Sequence, residues 1–394
     1  MKIAHLISNY FPTLGGAQMC VHHLAKRSAE RGHESFVVTT TPGLDNGTDL
    51  GYGVIHINPF LTKLGLLNFK TGGALLRKEI RSLQDRYGFD LWQVTVGYPL
   101  GAAAVDFFNE KRIPCVLRPS GEDIQLHEGL GYGYRMKKDV DRIIRVKYPR
   151  FNAVIAPGER AKGDYLSLGV PEDRIELIPQ GVDLARFSGG EGNQRVADAI
   201  GLQNGERFLV TIGRNHPKKG FEIIPEIASR LLESGVRFKW LLAGKGNKRL
   251  VDKAESMGMR GVFAERDIRP LFGDGRDMQV PAPEIISIYK AADVFVFPTR
   301  IELFAKAVIE ALAAGSSVVT TFSPGVDDII EDGENGLKCD PGDARCFAEK
   351  IDRVLRDGKL AAHLRENARR SSVSYGWDEI SGRYFSLYER IGRR

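Results

Sequence analysis

Short apolar runs alternate along the chain with stretches in which apolar residues recur at helical spacing. Such runs between turn residues are typical of buried strands, and the stretches between them of helices that cover a sheet. The alternation predicts βαβ units and a parallel sheet. In the first half the predicted strands are Ile3–Ser8, Phe36–Thr40, Leu91–Thr95, Cys115–Leu117, Ala153–Ala156 and Ile175–Ile178, and the predicted helices are Ala17–Arg31, Gly73–Tyr87, Leu100–Lys111 and Glu159–Leu168.

The alternation is interrupted by two polar, Gly-containing segments, 180–183 and 188–193, which we interpret as a linker. It then starts again. The predicted strands are Phe208–Ile212, Phe238–Ala243, Val262–Ala264, Val294–Phe297 and Ser317–Thr320, and the helices are Phe221–Glu233, Lys248–Met257, Pro283–Lys290, Ala305–Ala314 and Trp377–Ile391. We therefore predict an α/β protein with two Rossmann-like domains, 1–185 and 186–374, that face each other across a cleft. Ligands in such sheets bind beyond the carboxyl ends of the strands.

The composition adds few constraints to this picture. A length of 394 residues fits two domains, and 42% hydrophobic with 27% charged residues is ordinary for a globular protein. No apolar run approaches the ~20 residues that a membrane span needs. The N-terminal segment 1–8 indicates a buried strand rather than a signal peptide, so we expect a cytoplasmic protein. Without a Cys-x-x-Cys pair or a His cluster, the four cysteines are expected to be reduced core thiols rather than a zinc site or disulfides.

The net charge of +6 is mild for a nucleic-acid-binding protein, and no motif of that class is present, so we expect no nucleic-acid partner. The charge is concentrated in residues 134–150, which hold seven Lys/Arg and two Asp. Apolar residues recur there at helical spacing, which predicts a basic amphipathic helix. Three interpretations stay open: a solvated face, a site for an acceptor phosphate, or a peripheral contact with the anionic inner face of a membrane.

Two candidate anion-binding loops follow predicted first strands. Gly15 and Gly16 open the first helix, where paired glycines let a ligand approach the backbone and free amides face an anion. In the second half, Gly213 and Arg214 follow the strand and Lys219 lies five residues after Arg214. Arg grips a diphosphate with a planar fork, and Lys acts as a point charge.

The most specific signal is a pair of glutamates eight residues apart. Glu302 lies in a loop after a predicted strand, and Glu310 lies about one turn inside the next helix. Carboxylates accept hydrogen bonds from paired sugar hydroxyls, and the helix N-terminus between them directs amides at a phosphate.

Together, these elements resemble family 4 of the retaining GT-B glycosyltransferases. The similarity extends over nearly the whole chain and includes Ile178–Asp183, which looks like that family's domain hinge. It implies that the helix of segment 375–394 crosses back to the first domain. It also implies an acceptor-binding first domain and a second domain that binds a nucleotide-diphosphate sugar, with UDP or GDP as the nucleotide.

The resemblance implies a role for each matching residue. Arg214 and Lys219 hold the diphosphate, with Gly213 and the loop Gly15–Gly16 beside it. Glu310 binds the ribose. The donor sugar is bound by Glu302 together with the backbone of Phe304, Ala305 and Lys306.

The sequence departs from the family in a loop of the first domain, where Ser120 stands in place of a common His. We assign Ser120, Gly121, Asp123 and His127 to the acceptor side. His127 is a candidate replacement for the family His, although an exposed or structural histidine is the favoured interpretation.

Asp139 and Asp141 match the Asp-x-Asp metal motif of another glycosyltransferase fold, but they lie inside the basic helix. We therefore expect no metal and no cofactor besides the co-substrate. The expected activity is a retaining transfer of a sugar to a hydroxyl acceptor in polysaccharide or glycolipid biosynthesis. A nucleotide-sugar 2-epimerase of the same fold and a non-catalytic nucleotide-sugar binding protein are the alternatives.

Overall fold

The structure is a computed structural model that describes residues 1–13, 15–42, 50–189, 194–266 and 281–393. The chain forms two compact units, one of Met1–Gln180 with Asp378–Arg394 and the other of Gly181–Trp377. These boundaries differ slightly from the predicted 185 and 375. The reason is a backbone pairing inside the second unit, in which Val182 donates to the Tyr375 carbonyl (2.8 Å) and accepts from the Trp377 amide (3.1 Å).

The first unit is built on a parallel sheet of seven strands in the order β3-β2-β1-β4-β5-β6-β7. Central strands such as β4 are fully buried, as expected for a sheet covered on both faces. The strands are β1 (Lys2–Ile7), β2 (Glu34–Thr39), β3 (Gly53–His56), β4 (Leu91–Thr95), β5 (Cys115–Arg118), β6 (Ala153–Ala156) and β7 (Ile175–Leu177). The helices before the second unit are α1 (Gly16–Glu30), α2 (Pro59–Leu67), α3 (Phe69–Tyr87), α4 (Ala102–Glu110), α5 (Lys138–Lys147) and α6 (Glu159–Ser167).

The second unit is built on a parallel sheet of six strands in the order β10-β9-β8-β11-β12-β13. Its strands are β8 (Arg207–Ile212), β9 (Phe238–Ala243), β10 (Phe263–Arg266), β11 (Val294–Val296), β12 (Ser317–Thr321) and β13 (Leu337–Cys339). Its helices are α7 (Leu184–Ser188), α8 (Gln194–Ile200), α9 (Ile224–Glu233), α10 (Lys248–Ser256), α11 (Pro283–Ala291), α12 (Lys306–Ala314), α13 (Ala344–Arg356) and α14 (Gly358–Ser372).

The last helix, α15 (Trp377–Gly392), belongs with the first unit from Asp378 onward. It covers the open edge of β7, where Arg383 donates to the Leu177 carbonyl and Arg390 pairs with Glu176. Edge strands expose unpaired backbone groups, so this cover protects that end of the sheet.

The two parallel sheets confirm the predicted α/β fold class with two Rossmann-like domains. The prediction missed the edge strands β3 and β13 and the helices α2, α7, α8, α13 and α14. Residues 190–193 of the predicted linker lie outside the described residues.

The expectation of four free thiols is wrong for one pair. Cys339 and Cys346 form a disulfide, with their Cα atoms 5.8 Å apart, whereas Cys20 and Cys115 are free and buried. The end of β13 and the first turn of α13 bring the two residues together, and the prediction had assigned neither element.

Candidate active site

The strand order of the second unit reverses between β8 and β11, which are neighbours in the sheet. A crevice for a ligand forms beyond the carboxyl ends of the strands at such a switch point. The loop after β8 carries residues 213–220, and the loop after β11 carries residues 297–305. The predicted donor-side residues that precede α12 therefore lie in the two loops that leave the strands on either side of the switch point.

A buried ion pair joins these two loops. The Lys219 ammonium donates to Oε1 of Glu302, a residue that is only 6% exposed. The Lys218 ammonium lies 4.0 Å from Oε2 of the same carboxylate, and the Thr299 hydroxyl donates to Oε1 over 3.2 Å. Burial alone would raise the pKa of Glu302, but Lys219 and Lys218 outweigh it and hold that pKa below its ordinary value. Glu302 is therefore an anion at neutral pH.

Close backbone packing fixes the same two loops. Gly220 has a φ of 64°, and a β-carbon there would lie 2.0 Å from the Pro298 carbonyl oxygen. Lys218 offers its own carbonyl to the Arg300 amide (2.8 Å) and the Thr299 hydroxyl (3.1 Å). The position of Lys219 is thus set by the backbone as well as by its ion pair.

The loop after β8 is also held from the side of β9. Gly213 has a φ of 156°, and the Asn247 side-chain amide donates to the carbonyls of Gly213 (3.1 Å) and Gly244 (3.0 Å). Arg214, the next residue, is exposed and makes no hydrogen bond or ion pair with any described residue. The two predicted diphosphate ligands thus differ: Lys219 already holds a carboxylate, and the Arg214 guanidinium has its donors open.

The second glutamate lies in α12, as predicted, and is also buried. Glu310 Oε2 accepts from the Tyr289 hydroxyl (3.2 Å), and Oε1 lies 3.1 Å from the Lys306 ammonium. Burial, followed by the nearby Glu310 charge, raises the pKa of Tyr289 well above its ordinary value, so this phenol stays a donor. The carboxylate is therefore fixed on one side by two partners.

The backbone amides between the glutamates are partly used by the protein. Ala305 donates to the Gly325 carbonyl and Lys306 to the Phe304 carbonyl, both over 3.0 Å. Within the described residues, the amides of Phe304 and Ala307 have no acceptor. Of the three predicted backbone ligands of the sugar, only Phe304 offers an open amide, and Ala307 offers another.

In the first unit, the strand order reverses between β1 and β4. Gly15 and Gly16 follow β1, with Gly16 as the first residue of α1. Gly15 is extended, with a φ of −176°, and the Gln18 side chain lies close over it. The loop therefore sits where a ligand is expected, although Gly15 has a conformation open to any residue.

The loops after β4 and β5 are joined by Asp123, which is completely buried. Its carboxylate accepts from the amides of Gly97 (3.1 Å) and Ser120 (3.0 Å) and from the Tyr148 hydroxyl (3.3 Å). Burial raises the pKa of Asp123 despite these donors. Asp123 therefore positions backbone and has no surface for the acceptor-side contact that the sequence suggested.

Two of the other acceptor-side candidates are more accessible than Asp123. Ser120 and His127 are half-buried, whereas Gly121 is buried with a φ of 109°. Nδ1 of His127 is buried without a hydrogen-bond partner among the described residues. Val96, just before Gly97, has a φ of 66°, which is a strained conformation for a β-branched residue. Such strain is often held at functional sites.

Two family models match this chain. The model of glycosyltransferase family 4 matches residues 14–186, and the model of glycosyl transferases group 1 matches residues 278–371, together about two thirds of the chain. The chain belongs to the group 1 glycosyltransferases. An uncharacterised glycosyltransferase of Methanocaldococcus jannaschii, MJ1607, is 26% identical to it over the full length of both chains.

Two further relatives are informative. The D-inositol 3-phosphate glycosyltransferase of Corynebacterium urealyticum is 26% identical over 55% of this chain and 51% of its own, so only about half of that protein is matched. The crystal structure of Anabaena HepE in complex with UDP and glucose has a TM-score of 0.77 at 18% identity, covering 99% of this chain and 100% of its own. This likeness shows that the glycosyltransferase has the predicted GT-B architecture.

The basic segment 134–150 is less open than its sequence suggested. Asp141 pairs with Arg135 and Arg145, both at 2.7 Å, and Asp106 pairs with Lys147 (2.5 Å) and Arg150 (2.8 Å). Four of the seven cations are thus paired with these two carboxylates. Lys137, Lys138 and Arg142 are the exposed cations of this segment that have no acidic partner among the described residues.

The ion pairs of Asp141 also involve one residue of the Asp-x-Asp pattern. Both oxygens of Asp141 accept from arginines, so this carboxylate is committed to the fold. Over the described ranges, no group of three or more His, Cys, Asp or Glu side chains could hold a metal ion. In the same residues, no helix combines the length and apolar character needed to cross a membrane.

Sequence reasoning missed Thr299, Tyr289 and Asn247 as supports of the site. Each is polar and buried, and each contacts a predicted site residue or loop. A tyrosine inside an otherwise apolar stretch was the available signal for Tyr289, whereas Asn247 lies in a polar, Gly-containing turn. The sequence alone did not show which residues they contact.

We predict that Gly220→Ala destabilises the second unit much more than Gly235→Ala. Both glycines have positive φ (64° and 79°), so both variants carry a left-handed strain of about 1 kcal/mol. A β-carbon at Gly235 meets nothing within 4 Å, whereas at Gly220 it meets the Pro298 carbonyl. Thermal unfolding of the two variants measures the difference, and equal losses of stability would contradict the close packing of the two loops.

Proposed function

We propose that the glycosyltransferase is retaining and metal-independent and moves a sugar from a UDP- or GDP-sugar to a hydroxyl acceptor in polysaccharide, glycolipid or related glycoconjugate biosynthesis. The second unit binds the donor and the first unit the acceptor. The observation that carries the proposal is the Lys219–Glu302 pair at the switch point. The complex of HepE with UDP and glucose supports the nucleotide-sugar part of the proposal.

The chemistry follows from the charges. As the bond between the anomeric carbon and the diphosphate breaks, its electron pair goes to the diphosphate oxygen. Lys219 and Arg214 stabilise the growing negative charge, and Lys219, which Glu302 already holds, does so in the preorganised manner that lowers barriers most. The acceptor oxygen bonds to the anomeric carbon from the same face, and its proton goes to the leaving phosphate. No protein base is then needed.

Glu302 has two roles in this proposal. Its paired carboxylate holds the Lys219 ammonium in place before the donor binds. When the donor is bound, the same carboxylate accepts from sugar hydroxyls, and the diphosphate becomes a second partner of Lys219. Glu310, held by Tyr289, accepts from the ribose hydroxyls.

A thermal-shift screen of nucleoside diphosphates and their sugars identifies the donor, because a ligand of the folded state raises its stability. Release of nucleoside diphosphate, with water or an added alcohol as acceptor, then measures transfer. An altered sugar nucleotide formed without acceptor would favour the 2-epimerase instead. Binding without any turnover would favour the non-catalytic binding protein.

We predict that EDTA leaves transfer intact, because Arg214 and Lys219 do the work that a divalent cation does in other sites. The measurement is the rate of nucleoside diphosphate release with and without chelator. A strict requirement for Mg²⁺ or Mn²⁺, with either ion restoring the rate, would overturn metal independence.

We also predict that Lys219→Ala lowers kcat more than it raises the donor KM, by on the order of 10²-fold or more. The diphosphate gains negative charge as the bond breaks, so a cation beside it contributes more in the transition state than in the bound substrate. Arg214→Lys also lowers kcat because an ammonium cannot form a bidentate fork. Glu310→Ala mainly raises the donor KM, since ribose hydroxyls gain no charge during transfer.

Two controls separate catalysis from folding. Lys248→Ala removes an exposed lysine of the same unit and leaves kcat unchanged. Lys219→Ala combined with Glu302→Gln also removes the buried negative charge, for which the single variant leaves Lys218 as the nearest cation, so its unfolding temperature tests stability. A folded Lys219→Ala enzyme with near-wild-type kcat would show that this loop does not serve the leaving group.

We further propose that the exposed cations of segment 134–150 hold the glycosyltransferase on the inner, anionic face of a membrane. The variant Lys137→Glu, Lys138→Glu, Arg142→Glu is predicted to lose the part of its binding to anionic vesicles that salt screens, since each cation contributes about 1 kcal/mol near such a surface. Arg145 is left intact because it pairs with Asp141. Sedimentation with vesicles measures binding, and a wild-type protein that stays in the supernatant would rule the contact out.

A further inference from the structure

Helix α2 exposes several large apolar side chains that a helix covering a core normally buries. Only Thr62 and Gly65 of its nine residues are buried. Phe60 is 61% exposed, Leu66 39% and Leu67 84%. A surface helix normally turns its apolar stripe inward and its polar residues outward. Apolar residues this exposed and this close together mark an interaction surface.

The inner side of α2 explains why its apolar residues stay outside. A β-carbon added to Gly72 of α3 would lie 2.3 Å from the Gly65 nitrogen, so the two helix backbones are nearly in contact. A β-carbon at Gly65 would also meet Leu76 and Pro99. No large side chain fits between these elements, and rotation of α2 cannot bury Phe60 or Leu67.

A row of aromatic rings connects the region of α2 with the basic segment 134–150. Phe69, at the start of α3, stacks on Tyr98 with 5.5 Å between ring centroids. Tyr98 contacts Tyr134 edge-on at 6.1 Å. Lys137 and Lys138 follow Tyr134 after a single short helical turn. The apolar and the basic residues therefore lie on adjoining parts of the first unit.

Cations predominate on this surface, although Asp139 lies among those of segment 134–150. Residues 59–78 contain four Lys/Arg and no Asp or Glu. Lys63 and Lys70 of this stretch are exposed, as are Lys137, Lys138 and Arg142. Exposed Phe and Leu beside unpaired cations are typical of elements that lie in the headgroup region of an anionic bilayer.

We propose that α2 inserts Phe60, Leu66 and Leu67 into an anionic phospholipid bilayer, beside the basic contact of segment 134–150. The proposal extends the membrane contact proposed above from surface attraction to insertion. Tyr98 follows Gly97, whose amide is held by Asp123, so the surface adjoins the acceptor-side loop. The acceptor class that fits this placement is a hydroxyl carried by a membrane lipid.

The test is sedimentation with vesicles of phosphatidylcholine and phosphatidylglycerol, at 0.1 M and 0.5 M NaCl. Wild-type protein is expected to keep part of its binding at high salt, because insertion is not screened whereas charge attraction is. Phe60→Ser with Leu67→Ser is expected to weaken binding on the order of tenfold or more at low salt and to remove it at high salt. Met257→Ser with Val373→Ser removes apolar side chains of similar exposure from the second unit and leaves binding unchanged.

A second variant reports insertion directly. Phe60→Trp keeps an apolar side chain at this position, so it retains binding. Brominated lipid is expected to quench the tryptophan fluorescence of this variant more strongly than that of the wild type. Binding by the Ser variant equal to that of the wild type at both salt concentrations, or quenching of Phe60→Trp no greater than that of the wild type, would overturn insertion. Conversion of a dimer to a monomer by the Ser variant would also overturn it, by showing that a second copy of the chain covers α2. The charge-reversal variant keeps its residual binding at high salt, which separates insertion from the basic contact.

Discussion

The candidate site of the glycosyltransferase depends on one buried ion pair, between Lys219 and Glu302. A buried carboxylate without a partner is strongly destabilising, so Glu302 requires the cations that flank it. The same requirement fixes a lysine between two loops that come from different strands. In the free protein the carboxylate orients the ammonium, and a diphosphate that arrives meets a cation already in place. Preorganisation of this kind costs no rearrangement when charge develops.

The sheet topology explains why these loops meet. β8 and β11 are far apart in sequence but adjacent in the sheet, and the strand order reverses between them. Loops that leave adjacent strands at a switch point diverge and leave a crevice. Gly220 lets them approach closely near their bases, since any side chain there would strike Pro298. Asp123 has the corresponding structural task in the first unit, where it ties the loops after β4 and β5 together.

Much of this could be predicted from the sequence because its signals are local. The pattern of apolar positions and the turn residues predicted the central strands. The eight-residue spacing of Glu302 and Glu310 indicated that the two residues lie on either side of the start of α12. What failed depended on contacts that form only in the folded chain. The burial of Asp123 and the pairing of Lys147 with Asp106 depend on the folded neighbourhood, which residue types alone do not show. Cys339 and Cys346 pair because β13 delivers one of them to the first turn of α13, and β13 is too short to show a period.

The role of the Lys219–Glu302 pair in binding the diphosphate is tested most directly by calorimetry. The affinities for a nucleoside diphosphate and for its monophosphate are measured in the wild type and in Lys219→Ala. We predict that the wild type binds the diphosphate much more tightly than the monophosphate. Lys219→Ala is expected to lose most of this advantage, while its affinity for the monophosphate changes little. Glu310→Ala, which affects the ribose, would weaken both ligands equally. An undiminished preference for the diphosphate in folded Lys219→Ala protein would contradict the assignment of the buried pair to the diphosphate.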